Sequence, residues 1–170
     1  MAKSAVSAAP VARRVSAKAV GAVLGPAALA DFVGLYRADP MERVRLVKRG
    51  VSAQTVDAMA RRMAVPKEKL AGTLGLARAT IDRKVRENRP LSSDEGSRVL
   101  GLVRLVGQVQ AMVEESGDPR GFDAAAWVAA WLGRPLPALG GQKPEDLMDT
   151  AEGQRLVGDL LARIQSGAYA

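Results

Sequence analysis

The residue types that proteins most often use for catalysis are largely missing from this sequence. Its 170 residues include no cysteine and no histidine, which removes thiol and imidazole chemistry and almost excludes a zinc site. Carboxylate or lysine chemistry remains, and acidic residues lie close together at Glu114 and Glu115 and at Asp146 and Asp149. These pairs are typical of solvating charges at helix ends. The sequence therefore predicts no catalytic residue, no metal site, no cofactor and no enzyme activity.

Basic side chains in the middle of the chain offer chemistry of another kind. Residues 41–90 contain thirteen Lys and Arg against five Asp and Glu, whereas residues 91–170 contain seven against eleven. Because a cationic segment lies next to an anionic one, we expect the cationic segment alone to bind a polyanion. The candidate DNA contacts are Lys67, Lys69, Arg78, Thr80, Arg83, Lys84 and Arg86. Arg78 and Thr80 suit base edges, and the others suit phosphates.

To contact DNA together, these side chains must be positioned by two short helices that meet at a tight turn. Leu70, Ala71 and Ile81 are apolar where such a pair must pack, and Gly75 can adopt the left-handed conformation that ends the first helix. The pattern predicts a helix-turn-helix whose second helix presents its basic residues to the major groove. A plain helical hairpin with solvated basic residues would show a similar pattern, and Asp82 and Glu87 would repel phosphate.

The rest of the chain also favours helices, because strong β-formers are sparse and aromatic residues make up only 4%. Ser92, followed three residues later by Glu95, matches a capping box. Trp127 and Trp131 share one helix face and are expected in the core, as are Leu156 and Ile164. Helices are predicted at 31–37, 40–49, 53–63, 67–74, 77–87, 92–115, 122–132, 144–148 and 151–165, with a loop over 133–141.

This order of elements predicts an all-α protein with a helix-turn-helix domain followed by a small helical domain. Residues 1–38 are expected to form a basic, Ala-rich, flexible tail, residues 39–90 the DNA-binding domain and residues 91–170 the second domain. The composition of residues 1–30 also resembles an organellar transit peptide, but a basic tail is the preferred interpretation. No stretch approaches the length of a membrane span, so a cytoplasmic protein without a membrane partner is expected.

From about residue 41 onward the sequence resembles the Xre/MbcA/ParS antitoxins. The resemblance lies in segments whose order and spacing agree with the family. They are Gly75-Leu76 with Thr80-Ile81-Asp82-Arg83-Lys84, Leu91 to Glu95 with Arg98-Val99-Leu100, Ala129 to Leu132, Ala138 to Pro144 with Leu147 to Thr150, and Glu152-Gly153 through Val157 and Leu161 to Ala170. Gly96 departs from the family, which usually has a polar residue there, and the ending at Ala168 and Tyr169 differs modestly.

The resemblance implies an antitoxin that blocks the active site of a cognate toxin, either an NAD-degrading (RES-type) or an ADP-ribosylating one. It also implies that the antitoxin represses its own operon by binding double-stranded operator DNA, usually as a homodimer. The second domain would then bind the toxin, and its loop and terminus are the expected contacts. The candidate toxin-binding residues are Leu139, Gly140, Gly141, Arg163, Ser166, Gly167, Ala168, Tyr169 and Ala170.

One alternative function remains open from the residues alone. A stand-alone helix-turn-helix regulator, with a C-terminal domain that dimerises or senses a ligand, would show the same charge division.

Overall fold

The computed structural model describes residues 23–165, and within that range it is built from helices. The eight α-helices are α1 (Phe32–Arg37), α2 (Pro40–Arg49), α3 (Gln54–Arg62), α4 (Lys67–Thr73), α5 (Arg78–Arg86), α6 (Ser93–Ser116), α7 (Ala124–Leu132) and α8 (Ala151–Gln165). Three 3₁₀ segments join them, at Pro26–Ala30, Pro137–Leu139 and Pro144–Leu147. The described part contains only isolated β-bridges and no strand. The prediction of an all-α fold is confirmed.

Helix α6 is the axis of the molecule. It begins with the predicted capping box, in which Ser92 Oγ accepts a hydrogen bond from the Glu95 amide at 3.2 Å and the Ser92 amide donates to Glu95 Oε2 at 2.7 Å. Its core-facing residues, including Val99, Leu102 and Val106, are completely buried. Helices α1, α2, α3, α7 and α8 all pack against it. Both halves of the chain therefore share one apolar core.

Residues 24–38 differ from the predicted tail. Leu24, Leu29, Phe32 and Leu35 are each at most 6% exposed and belong to the core. The backbone of Leu24 bonds to Gly50 and Ser52, and α1 lies so close to α6 that the Phe32 carbonyl fills the space where a Cβ on Gly107 would stand. The expected flexible tail is therefore wrong over residues 24–38, because their large apolar side chains belong to the core, whereas the helix predicted within this range at 31–37 is confirmed as α1. Residues 1–22 lie outside the described part.

The terminal half also departs from prediction at single positions. Trp131 is buried as expected, but Trp127 is 40% exposed, Leu156 47% and Ile164 46%. The core side of α7 and α8 is occupied instead by small and branched residues such as Ala125, Val128 and Leu161. The apolar pattern of these helices is wider than the face that the core can cover.

Candidate DNA-binding and partner-binding surfaces

Helices α4 and α5 form the predicted helix-turn-helix. Leu70, Ala71 and Ile81 are at most 3% exposed between them, and Gly75 in the turn has φ +60°. The guanidinium of Arg98 on α6 fixes this turn, because Nη1 donates to the carbonyls of Leu74 at 2.7 Å and Gly75 at 2.9 Å. The same nitrogen lies 3.5 Å from the carbonyl of Asp149, in the segment before α8.

Arg98 is a structural residue whose role the sequence did not indicate. Its side chain is only 13% exposed and also pairs with Asp94 at 2.7 Å. An arginine fork can hold several oxygen atoms at fixed angles. It ties the turn before α5 to α6 and to the segment that leads into α8.

The outward face of α5 is formed by Ala79, Arg83 and Arg86, all of which are exposed. Within residues 23–165 neither arginine has an ion-pair partner within 4.0 Å. Ala79 is small enough to let the helix backbone approach a flat surface. This face thus presents two guanidinium groups, three positions apart on one helix, that have no ion pair among the described residues.

Arg78 begins α5 and belongs to a network of charges with α4. Its side chain is 64% exposed and lies 3.1 Å from Glu68 and 3.6 Å from Asp82. Lys67 is more enclosed, with its amine 2.7 Å from both Asp57 and Asp82. Burial would lower the pKa of Lys67, but hydrogen bonds from its amine to these two carboxylates outweigh burial and raise that pKa. Hydrogen bonding to Lys67 in turn lowers the pKa of Asp82.

Lys84 does not point outward as predicted. Its side chain is 16% exposed, and its amine forms an ion pair with Glu95, which is 14% exposed. Burial raises the pKa of Glu95, but the hydrogen bonds from Lys84 and from Ser92 outweigh it, so this pKa lies below its usual range. Lys84 thus links α5 to the capping box of α6. From the charge pattern alone, a lysine in such an ion pair cannot be distinguished from one that contacts phosphate.

The remaining candidate DNA contacts are Lys69 on α4 and Thr80 on α5. Lys69 is 53% exposed and lies 3.4 Å from Glu145. Thr80 is half-buried in the first turn of α5. The structure therefore brings Arg78, Thr80, Arg83 and Arg86 onto one helix and assigns Lys67 and Lys84 to ion pairs.

The predicted toxin-binding loop is compact. The Leu136 and Gly141 amides close it by hydrogen bonds of 3.0 Å to the Gln142 and Leu136 carbonyls respectively. Gly140 and Gly141 are exposed at its tip with φ +64° and +87°, and Leu139 packs partly against the core. Arg163 is exposed near the end of α8. The other candidates, Ser166 to Ala170, lie outside the described residues.

Three aromatic rings form a cluster beside α7. The rings of Trp127 and Trp131 are stacked, with centroids 6.0 Å apart and planes 10° apart. Phe122 lies against Trp127 with a centroid distance of 6.3 Å. Phe122 is 36% exposed and Trp127 40% exposed. Sequence reasoning assigned Trp127 to packing, and its i, i+4 spacing from Trp131 was the only sign of this stack.

A groove of about 800 Å³ lies between α2, α6 and α8. Leu100 and Leu105 line its apolar part, and Arg43, Lys48 and Arg104 give its lining a basic character. Burial and the nearby charge of Arg104 lower the pKa of Arg43, against the opposing effect of Asp39. The helices that line this groove come from both halves of the chain.

None of the described helices is long and apolar enough to cross a membrane. Within residues 23–165, no group of three or more acidic side chains is arranged to hold a metal ion.

A helix-turn-helix with an arginine-bearing second helix, continued through α6 into a second helical unit, defines a DNA-binding protein of the helix-turn-helix class. The particular family is given by comparison with known proteins. Residues 42–104 match the antitoxin Xre-like helix-turn-helix domain, and residues 110–167 match the antitoxin Xre/MbcA/ParS C-terminal toxin-binding domain. The two ranges approach each other inside α6.

Two relatives support the same conclusion. A protein of Sphingobium sp. (strain YBL2) named Prs ADP-ribosylating antitoxin is 48% identical over 139 residues, which cover 82% of this chain and 87% of that protein. A protein of Yersinia enterocolitica serotype O:8 / biotype 1B (strain NCTC 13174 / 8081) named Antitoxin Xre is 23% identical over 137 residues, which cover 81% and 87%. The chain belongs to the Xre/MbcA/ParS antitoxin family, so the resemblance found in the sequence is confirmed. It is an antitoxin of an Xre/ParS-type toxin–antitoxin system.

Proposed function

We propose that this antitoxin neutralises an ADP-ribosylating toxin by covering the toxin's active site, and that it represses its own operon through α5. The choice of ADP-ribosylation over NAD degradation is supported by the name of the relative that shares 48% identity. The C-terminal match over residues 110–167, described as a toxin-binding domain, supports the contact with the toxin. The antitoxin itself carries out no reaction, acts in the cytoplasm, and needs no cofactor.

The observation that carries the DNA-binding half of the proposal is the exposed face of α5. Arg83 and Arg86 are free of ion pairs within the described residues, so they can bind phosphate or guanine without first breaking an internal contact. Arg78 is exposed, but it must break its ion pairs with Glu68 and Asp82 before it can bind DNA. We propose a homodimer on the operator, because two recognition helices spaced by one helical turn of DNA read two half-sites.

Replacing Arg83 and Arg86 together by Ala tests DNA binding. Loss of two phosphate contacts should weaken operator binding at least about tenfold and lower the salt dependence of log K by about 2. Fluorescence anisotropy on operator DNA at several salt concentrations measures both quantities. The matched control is Arg120→Ala, because Arg120 is 89% exposed in the toxin-binding range and, among residues 23–165, its ion-pair partner is the nearby Asp118. Equal affinity of the double variant and the control would contradict the assignment of α5.

Toxin neutralisation is tested with the toxin encoded beside this antitoxin. Expression of the toxin alone should stop growth and attach ADP-ribose to a target protein, and coexpression with the antitoxin should prevent both. The Arg83→Ala, Arg86→Ala variant should still protect the cells. A toxin that consumes NAD without labelling any protein would overturn the ADP-ribosylation part of the proposal. A toxin that remains active beside the antitoxin would overturn neutralisation.

The alternative of a stand-alone regulator finds one structural support in the basic and apolar groove between α2, α6 and α8. Under this alternative, a small anionic molecule that binds in the groove would change how the two halves of the chain pack against each other. The match to a toxin-binding domain favours a protein partner over this alternative.

A further inference from the structure

We propose that the outer face of α7, formed by Trp127, Ala130 and the adjacent Phe122, is a principal contact surface for the toxin. This α7 aromatic face was not among the residues predicted from the sequence. The proposal rests on the proposed toxin-binding function and adds the residues that carry the affinity.

The sequence of α7 is unusual for a helix at a protein surface. Its nine residues, AAAWVAAWL, include no polar or charged side chain. A helix that is apolar around its whole circumference is normally buried on all sides. Within residues 23–165, contacts with α6 and with the 3₁₀ segment Pro144–Leu147 cover one side of α7, and Trp127 and Ala130 on another side stay exposed.

The inner and outer sides of α7 differ clearly in exposure. Ala124, Ala125, Val128 and Leu132 face the core and are at most 7% exposed. Trp127 and Ala130 face outward, and Trp127 keeps 40% of its surface in contact with solvent. An exposed tryptophan on an apolar helix is typical of a protein interface whose partner is absent.

The exposed rings are held in place before any partner arrives. Trp127 is stacked on the buried Trp131, with the planes only 10° apart, and the Phe122 ring lies against it at a tilt of 47°. The Asp123 side chain caps the helix start by accepting from the Ala126 amide at 3.0 Å. A rigid aromatic side chain loses little conformational freedom on binding, so its burial contributes strongly to affinity.

The toxin is the occupant that the observations favour. The α7 aromatic face lies within residues 110–167, the range that matches the toxin-binding domain. DNA is disfavoured because Phe122, Trp127 and Ala130 carry no charge, and the neighbouring Arg120 is paired with Asp118 at 2.6 Å. The surface fits an apolar pocket or groove on the toxin that accepts the indole ring, with a polar rim that meets the neighbouring charges.

The experiment measures the affinity of three full-length variants for a catalytically inactive form of the toxin. Trp127→Ala removes the ring, Ala130→Glu adds a charge to the same exposed face without removing a packed side chain, and Met41→Ala is the control. Met41 is 58% exposed but lies on α2, outside the toxin-binding range. We expect Trp127→Ala and Ala130→Glu to weaken binding by at least about 30-fold in calorimetric titration, and Met41→Ala to bind as the unmodified chain does.

Melting temperature and operator affinity are measured for each variant, so that loss of fold is separated from loss of contact. Ala130→Glu keeps the proposal testable if Trp127→Ala unfolds. If the unmodified antitoxin does not bind the toxin, the proposed function itself fails. If it binds and both face variants bind equally well, only the present inference is overturned. If both variants keep their toxin affinity but reduce self-association in light scattering, the face joins two antitoxin copies and the inference is likewise wrong.

A spectroscopic readout gives an independent test. The chain contains two tryptophans, so antitoxin labelled with 5-fluorotryptophan gives two ¹⁹F signals, which Trp131→Phe assigns. Adding unlabelled toxin should shift the Trp127 signal and protect it from a soluble paramagnetic agent. A Trp127 signal that stays equally accessible in the complex would overturn the proposal.

Discussion

At the scale of single residues, the sign of a side chain's charge does not determine its function in this antitoxin. Nearby side chains of opposite charge determine which basic residues remain able to bind DNA. Lys84 and Arg83 are adjacent on α5, yet Lys84 is paired with Glu95 and Arg83 is exposed without an ion pair within the described residues. A sequence pattern gives both the same role. Only the position of Glu95 at the start of α6 separates them.

Glu95 therefore makes a specific prediction about pH. Its pKa in the folded chain lies below the ordinary value of 4.5, so its contribution to stability is complete above that value and is lost as the pH falls through the folded pKa. Glu95→Gln should lower the free energy of unfolding by about 1–3 kcal/mol at neutral pH, the cost of leaving the Lys84 amine without its charged partner.

Urea unfolding followed by circular dichroism at a series of pH values measures this effect. The difference between the unmodified chain and Glu95→Gln should shrink from about pH 5 downward. Glu87→Gln is the matched control, because Glu87 is 45% exposed and lies 3.5 Å from the exposed Arg89; its effect should stay below about 0.5 kcal/mol. A constant difference across all pH values would show that Glu95 acts through its shape and not its charge.

Arg98 shows what residue-level sequence reading cannot supply. Its place in a resemblance segment indicated that it belongs to the family pattern, but its bonds to the Leu74 and Gly75 carbonyls come from α6 crossing the turn 23 or more positions away. Such contacts depend on tertiary packing, which local spacing does not encode. The same limit explains why Trp127 was predicted as core.

At the scale of elements, the predictions from sequence succeeded where caps and breakers mark helix ends. Ser92 with Glu95, Gly50 and Gly75 each stand at or beside a boundary that the structure reproduces. The helix predicted at 31–37 is confirmed as α1, but the burial of Leu24 and Leu29 is not predicted, because these few apolar residues lie among alanines. The burial of α1 depends on a surface of α6 that is formed by residues far along the chain.

The contact between α1 and α6 gives a second prediction. A Cβ on Gly107 would lie 2.1 Å from the Phe32 carbonyl oxygen, which is backbone and cannot turn aside. Gly107→Ala should therefore push α1 away and lower the free energy of unfolding by about 1–3 kcal/mol, although Ala is the better helix former. Gly72→Ala is the control, because a Cβ on Gly72 meets nothing within 4 Å, and it should stabilise α4 by up to about 1 kcal/mol.

Chemical denaturation of the two glycine variants measures both signs. If Gly107→Ala were as stable as Gly72→Ala, α1 would not pack against α6 in solution, and residues 24–38 would behave as the tail that the sequence predicted.

At the scale of the whole molecule, one helix belongs to both functional halves. Helix α6 covers residues 93–116, so it begins inside the helix-turn-helix match at 42–104 and ends inside the toxin-binding match at 110–167. Arg98 adds a link by reaching both the turn before α5 and the Asp149 carbonyl near α8. The two halves are therefore expected to unfold together and not as independent domains.

Leu161→Ala tests this coupling, because Leu161 lies in the toxin-binding half, far along the chain from the DNA-binding helices. Leu161 is 1% exposed on α8, and removing its side chain should cost about 2–5 kcal/mol of stability. In a single cooperative unit, hydrogen exchange of the most protected amides in α3 and α4 should then accelerate by about 30-fold or more, since each 1.4 kcal/mol is a factor of ten. Mass spectrometry of peptides from the two halves measures the exchange. Unchanged protection in α3 and α4 beside faster exchange in α8 would mean that the helix-turn-helix can stay folded when the toxin-binding half opens, and that α6 does not transmit stability between them.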